Sequence, residues 1–80
     1  MIRDIFREGS ILPVDIATLS DSADLYAAGL TSHATVNLML SLEEKFDVEF
    51  PDRLLRRRTF ESIDAIKAAV GELLDQKAAA

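Results

Sequence analysis

Apolar residues along this chain recur at helical spacing in three places and lose that spacing in between. Ile2, Ile5 and Phe6 come at intervals that bring side chains onto one helix face. Gly9 follows as a residue suited to a left-handed stop, so the pattern predicts a short first helix that relies on packing for its stability. From Ser10 to Leu30 no period is sustained, and Pro13 with the Ser20-Asp21-Ser22 cluster marks a connection. Ile11, Leu12, Val14, Ile16, Leu19, Leu25 and Tyr26 are too many apolar groups for a solvated tether. A loop this long is expected to lie across the bundle.

Val36, Leu38, Met39, Leu40, Leu42 and Phe46 then crowd the segment 32–46 more densely than one narrow stripe requires, and they predict the main helix. Pro51 biases Phe50 towards extended geometry, and Pro51 or Asp52 begins a short helix through Leu54 and Leu55. Thr59 reads as the N-cap of a last helix, with Glu61 and Asp64 in its first turns. Ile63, Ile66, Val70, Leu73 and Leu74 form its buried face, and the helix is expected to end near Gln76, leaving residues 77–80 frayed. Asp47 to Phe50 alternates polar and apolar residues, but a strand there has nothing to pair with. The expected fold is all-α: one small four-helix bundle over residues 1–80, three main helices plus one short helix, with a long first loop.

Composition narrows the chemistry. The chain has 80 residues, enough for one modest core but not for two lobes enclosing a deep substrate cleft. With 49% apolar and 29% charged residues it is globular rather than disordered. There is no cysteine and only one histidine, which excludes disulfides, thiolate metal sites and multi-histidine centres. The first residues mix both charge signs with apolar positions, unlike a signal peptide, and no segment approaches the ~20 apolar residues of a bilayer span. A cytoplasmic, monomeric protein without membrane contact is expected. The net charge of −5 argues against nucleic-acid binding. Arg53, Arg56, Arg57 and Arg58 stand against that charge, within six residues that contain no acid. They form either a solvated face or a docking patch.

Ser32 is the chemical handle. It follows Gly29-Leu30-Thr31 where a loop meets the start of the main helix, at the positive end of the macrodipole and beside backbone N–H groups with no partner inside the helix. A phosphate esterified there would be well tolerated. The plain alternative is a simple N-cap, the common role of serine at a helix start. Adjacent helical residues point about 100° apart, so Ser32 and His33 do not make a nucleophile and base, and no third group orients the imidazole. Val36 and Leu40, one and two turns beyond Ser32, are either core or an exposed apolar patch, because Leu38, Met39 and Leu42 compete for the interior.

From Asp24-Leu25 through Phe46, in Phe50-Pro51-Asp52 and in Thr59-Phe60, the chain resembles the acyl carrier protein family, with its peptidyl and aminoacyl carrier relatives. The resemblance implies a single carrier domain and no catalytic activity of its own. In that family the serine of a Gly-x-Asp-Ser-Leu-like motif receives a 4′-phosphopantetheine arm from coenzyme A, through a separate Mg²⁺-dependent phosphopantetheinyl transferase. Ser32 would be that serine, its hydroxyl attacking the β-phosphate of coenzyme A. The arm's thiol would then hold acyl or aminoacyl groups as thioesters, delivered by a loading ligase and used by downstream acyl-processing enzymes. Leu30, Thr31, His33, Val36, Asn37 and Leu40, with Arg56, Arg57 and Arg58, would form the surface around the arm and its partners. Thr31 stands where the family commonly has Asp, His33 where it commonly has Leu, and Asn37 where an acid is common. Together with the arginines these departures suggest a free-standing, specialised carrier with dedicated partners. The contrasting expectation is a helical interaction module that keeps the fold and is never modified.

Overall fold

The computed structural model describes residues 2–79. Within them the chain forms α1 (Ile2–Gly9), α2 (Ser32–Phe46) and α3 (Ile63–Ala79). Short 3₁₀ turns interrupt the connections at Ile16–Thr18, Asp52–Leu54 and Arg57–Phe60. The all-α expectation holds, with the single short helix replaced by the last two of these turns. No strand forms among the described residues. At Phe50 the backbone N–H is satisfied by a side chain instead, donating to the Glu43 carboxylate at 2.8 Å. No helix among these residues is long and apolar enough to cross a membrane.

The helix ends explain two departures from the sequence pattern. At the end of α1 the left-handed residue is Ser10 (φ 50°), not Gly9, and the Ile11 N–H returns to the Phe6 carbonyl at 3.2 Å. Gly9 meets a different demand: a Cβ there would lie 3.1 Å from Ile11 Cδ1, so its bare backbone lets Ile11 fold back onto the helix. The same closing geometry ends α2, where Asp47 takes φ 53° and the Val48 N–H reaches the Glu43 carbonyl at 3.1 Å. At the start of α3 the expected cap, Thr59, is buried in the preceding turn, and Ser62 takes that role by accepting the Ala65 N–H at 3.0 Å. The helix also continues past Gln76 to Ala79. Lys77 ties it to the end of α2, donating to the Asp47 carbonyl at 2.8 Å and carboxylate at 2.6 Å. Ala80, the last residue of the expected frayed tail, lies outside the described residues.

Leu25, Leu38, Leu42 and Ile66 are fully buried at the centre, and the Phe50 and Phe60 rings meet beside them at 5.5 Å between centroids. The long first connection belongs to this core. Its Ile11, Leu12, Ile16, Leu25 and Leu30 side chains are buried, although Val14 faces solvent. Each buried side chain contributes about 2 kcal/mol, which offsets the cost of ordering so much irregular chain. Polar ties hold the loop in place. Arg3 donates to the Ile16 carbonyl at 2.7 Å and to Asp21 at 2.6 Å, the Leu25 N–H donates to the Glu61 carbonyl at 2.8 Å, and the Asp64 N–H donates to the Asp21 carbonyl at 3.0 Å. The connection therefore delivers the start of α2 from a rigid base.

Candidate functional site

The approach to α2 is a single tight turn. Asp24 opens it by accepting the Tyr26 N–H at 2.9 Å and the Ala27 N–H at 3.3 Å on one carboxylate oxygen. Gly29 closes it at φ 112°, and the Leu30 N–H reaches back to the Leu25 carbonyl at 3.0 Å. Leu30 then drops into the core and is only 5% exposed. This corrects its expected place on the surface around Ser32: Leu30 anchors the turn from below, so that the next residues emerge into solvent.

Thr31 is the N-cap of α2. Its hydroxyl accepts the Ala34 N–H at 3.1 Å, and its carbonyl accepts both the Thr35 N–H at 2.9 Å and the Thr35 hydroxyl at 2.8 Å. Capping is therefore done by the residue before Ser32. Ser32 is the first residue of the helix, exposed, and its hydroxyl makes no hydrogen bond among the described residues. The first turn of α2 contains no acid. A free hydroxyl thus sits at the positive end of the helix dipole, where an esterified phosphate would meet no local carboxylate. His33, the adjacent candidate base, makes no hydrogen bond to Ser32 among the described residues, and the Asp24 carboxylate already accepts backbone N–H groups. No base is hydrogen-bonded to the Ser32 hydroxyl among the described residues.

An open groove of about 390 Å³ runs from Ser32 along α2, lined by Tyr26, Thr35, Val36 and Met39 on one side and by Leu55, Arg56, Arg57 and Phe60 on the other. A cross-link joins two of its lining residues. The Arg57 guanidinium lies over the Tyr26 ring at 3.9 Å from its centroid, and the Tyr26 hydroxyl donates to the Arg57 carbonyl at 2.8 Å. Partial burial raises the Tyr26 pKa, and the charge of Arg57 works against that shift.

The structure separates the apolar residues of α2. Leu38 and Leu42 are core, whereas Val36 is 51% and Leu40 53% exposed. His33 and Asn37 are also exposed. Arg56 and Arg57 reach the groove with Ser32, and Arg58 lies beside them in the same exposed segment. Tyr26, Thr35, Met39, Leu55 and Phe60 were not expected around Ser32. In the sequence they carry only apolar or filler signals, and the pairing of Tyr26 with Arg57 spans 31 residues. No cluster of metal-ligating side chains exists among the described residues.

The chain is similar to known carrier proteins over nearly its whole length. The sequence model of the phosphopantetheine attachment site family matches residues 2–70. The chain is 54% identical over 79 residues to the aminoacyl carrier protein of Agrobacterium fabrum, covering 99% of this chain and 95% of that protein. A similar fold occurs in the crystal structure of an engineered Bradyrhizobium japonicum glycine:[carrier protein] ligase complexed with carrier protein from Agrobacterium tumefaciens and AMP. The match there has a TM-score of 0.82 at 54% identity, over 88% of this chain and 93% of the other. A solution structure from Agrobacterium tumefaciens matches with a TM-score of 0.77 at 54% identity, over 99% of this chain and 95% of the other.

Proposed function

The chain belongs to the phosphopantetheine attachment site family, and from that membership we propose that Ser32 bears a 4′-phosphopantetheine arm on which an aminoacyl group is held as a thioester. The chain is a carrier and not an enzyme. The observation that carries the assignment to Ser32 is its hydroxyl: exposed at the first position of α2, free of hydrogen bonds among the described residues, with capping left to Thr31. The residues present suit the group. The N–H groups at the start of α2 favour its phosphodiester, and Val36, Met39 and Leu55 offer apolar contact alongside. When bound, the arm would supply a thiol able to hold an acyl or aminoacyl group as a thioester.

Thr31 refines this reading. An aspartate can cap a helix as well as a threonine can, but it would place a negative charge next to the phosphodiester. The threonine keeps the cap and omits the repulsion. An aminoacyl cargo is favoured by the Agrobacterium fabrum relative, and glycine by the ligase complexed with the similar Agrobacterium tumefaciens carrier. In this reading a transferase primes Ser32 in the cytoplasm, an amino-acid-activating ligase loads the thiol, and downstream enzymes of a specialised pathway consume the thioester.

Intact-mass measurement tests the attachment. Incubated with coenzyme A, Mg²⁺ and a broad-specificity transferase, the protein is expected to gain one phosphopantetheine, and Ser32→Ala to gain none. A wild-type mass that stays unchanged there and in protein from the native host refutes the carrier reading in favour of an unmodified interaction module. A gain on Ser32→Ala moves the site elsewhere.

A further inference from the structure

We propose that α3 is the contact face of a homodimer: two copies pair back to back, their α3 helices antiparallel and crossing at Gly71, with Lys67 of each copy on Asp75 of the other. The inference does not depend on the carrier reading of Ser32. It replaces the monomer expected from the sequence with a weak, reversible pair.

Gly71 is the first observation. It stands at the midpoint of α3, where glycine weakens a helix relative to alanine. A Cβ added there would meet nothing within 4 Å. The fold of one copy therefore gives no steric reason for a bare backbone at this position, in contrast to Gly9 and Gly29. A bare helix backbone permits close approach of another surface, and the open space at Gly71 is where that surface would arrive. Gly71 also borders an open groove of about 410 Å³, lined by Val70 and Leu74 of α3, Ile2 of α1 and Phe46 at the end of α2. Leu74 is 38% exposed there.

Charge identifies the occupant as a second copy of this chain. Lys67 and Asp75 lie one turn before and one turn after Gly71 on the same side of α3. Both are exposed, and neither has an ion pair or hydrogen bond among the described residues. When two α3 helices cross antiparallel at Gly71, the residue four before the crossing is level with the residue four after it in the other copy, each about 6 Å from the crossing. Lys67 then meets Asp75 of the second copy, and two-fold symmetry repeats the pair. Leu74 comes level with Ala68 of the second copy, an exposed residue small enough to leave it room. A parallel arrangement would instead set Lys67 on Lys67 and Asp75 on Asp75, and like charges disfavour it. Other charges nearby are already engaged within one copy: Arg3 with Asp21, Glu72 with Arg53 and Lys77 with Asp47. One helix face buries less than the ~1,200 Å² of a standard interface, so the pair is weak. The α3 groove shares no lining residue with the groove at Ser32, and Ser32 and Phe46 stand at opposite ends of α2. Both copies of Ser32 remain open, and under the carrier reading one pair presents two arms.

Sedimentation equilibrium of the full-length, unmodified chain tests the pair, in about 0.15 M salt to screen the repulsion between copies of net charge −5. The weight-average mass is expected to rise from 8.8 kDa towards twice that value between about 10 µM and about 1 mM. Lys67→Glu and Asp75→Lys should each weaken association about tenfold. The double variant Lys67→Glu/Asp75→Lys re-creates both pairs with their signs exchanged and should return to within about threefold of the wild type. Gly71→Leu should abolish association without lowering Tm, since its Cβ enters open space. Circular dichroism checks that each variant is folded. A wild type that keeps the mass of one chain up to about 1 mM overturns the proposal. So does a double variant that associates no better than the single ones, or association unchanged in folded Gly71→Leu. Association lost in Val36→Glu/Leu40→Glu but kept in Lys67→Glu places the contact on α2 and also overturns it. Should Gly71→Leu fail to fold, the charge exchange alone decides. None of these outcomes involves the arm, so the assignment of Ser32 stands or falls separately.

Discussion

Replacing Gly29 by alanine tests how firmly the turn before Ser32 is held. Gly29 adopts φ 112°, and a Cβ added there would lie 2.6 Å from Pro13 Cγ and 2.8 Å from Pro13 Cδ. Two costs follow. A non-glycine residue at such a positive φ costs about 1–3 kcal/mol. The clash adds a similar ~1–3 kcal/mol, because a proline ring cannot rotate away and can yield only by moving its backbone. The sum is ~2–6 kcal/mol. A chain of this length is expected to have about 4–12 kcal/mol of stability in all, so Gly29→Ala should remove a large share and lower Tm by about 8 °C or more. Urea and thermal unfolding followed by circular dichroism measure the change. The double variant Pro13→Ala/Gly29→Ala should recover the clash but not the backbone strain, and a double-mutant cycle isolates the difference. A loss below ~1 kcal/mol for Gly29→Ala, or a cycle with no coupling to Pro13, would refute the account of the turn.

Two further outcomes follow from the same structure. Thr31→Ala removes the cap of α2 and should cost ~1 kcal/mol in urea unfolding, whereas Thr31→Asp should keep that stability; equal losses in both would show that the hydroxyl is not the cap. The Lys77 ammonium, by hydrogen bond and charge, holds the Asp47 carboxyl below the ordinary carboxylate value. A folded-state pKa below the unfolded one means stability that is fully present above about pH 4 and is lost as pH falls through the folded pKa. The stability advantage of the wild type over Asp47→Asn, measured by urea midpoints, should therefore be present at pH 6 and shrink below pH 4. A pH-independent difference would contradict the pairing.

Most of the helical framework was legible in the sequence because it is local. The periods of α1, α2 and α3 show in their apolar spacing, and Ser32 stands out through the Gly29-Leu30-Thr31 approach. The errors cluster at helix ends. Ser10 rather than Gly9 takes the left-handed turn, Ser62 rather than Thr59 caps α3, and Lys77 extends α3 beyond Gln76 by bonding to Asp47. The first turns on the close fold-back of Ile11 onto α1, and the other two on contacts with parts of the chain distant in sequence. Thr59 is chemically able to cap, but it is buried among the core residues.

The division is sharpest on α2, which is apolar on more than one side. Its sequence determined that a helix would form and that Ser32 would stand at its positive end, since periodicity and the dipole are properties of the segment alone. Which apolar residues face outward was decided by what packs against the helix. The other elements cover Leu38 and Leu42 and leave Val36 and Leu40 in solvent. The same holds for Leu30, drawn into the core, and for Tyr26, joined to Arg57 across 31 residues. Burial and long-range pairing depend on the whole chain closing on itself, and only the tertiary structure contains that information.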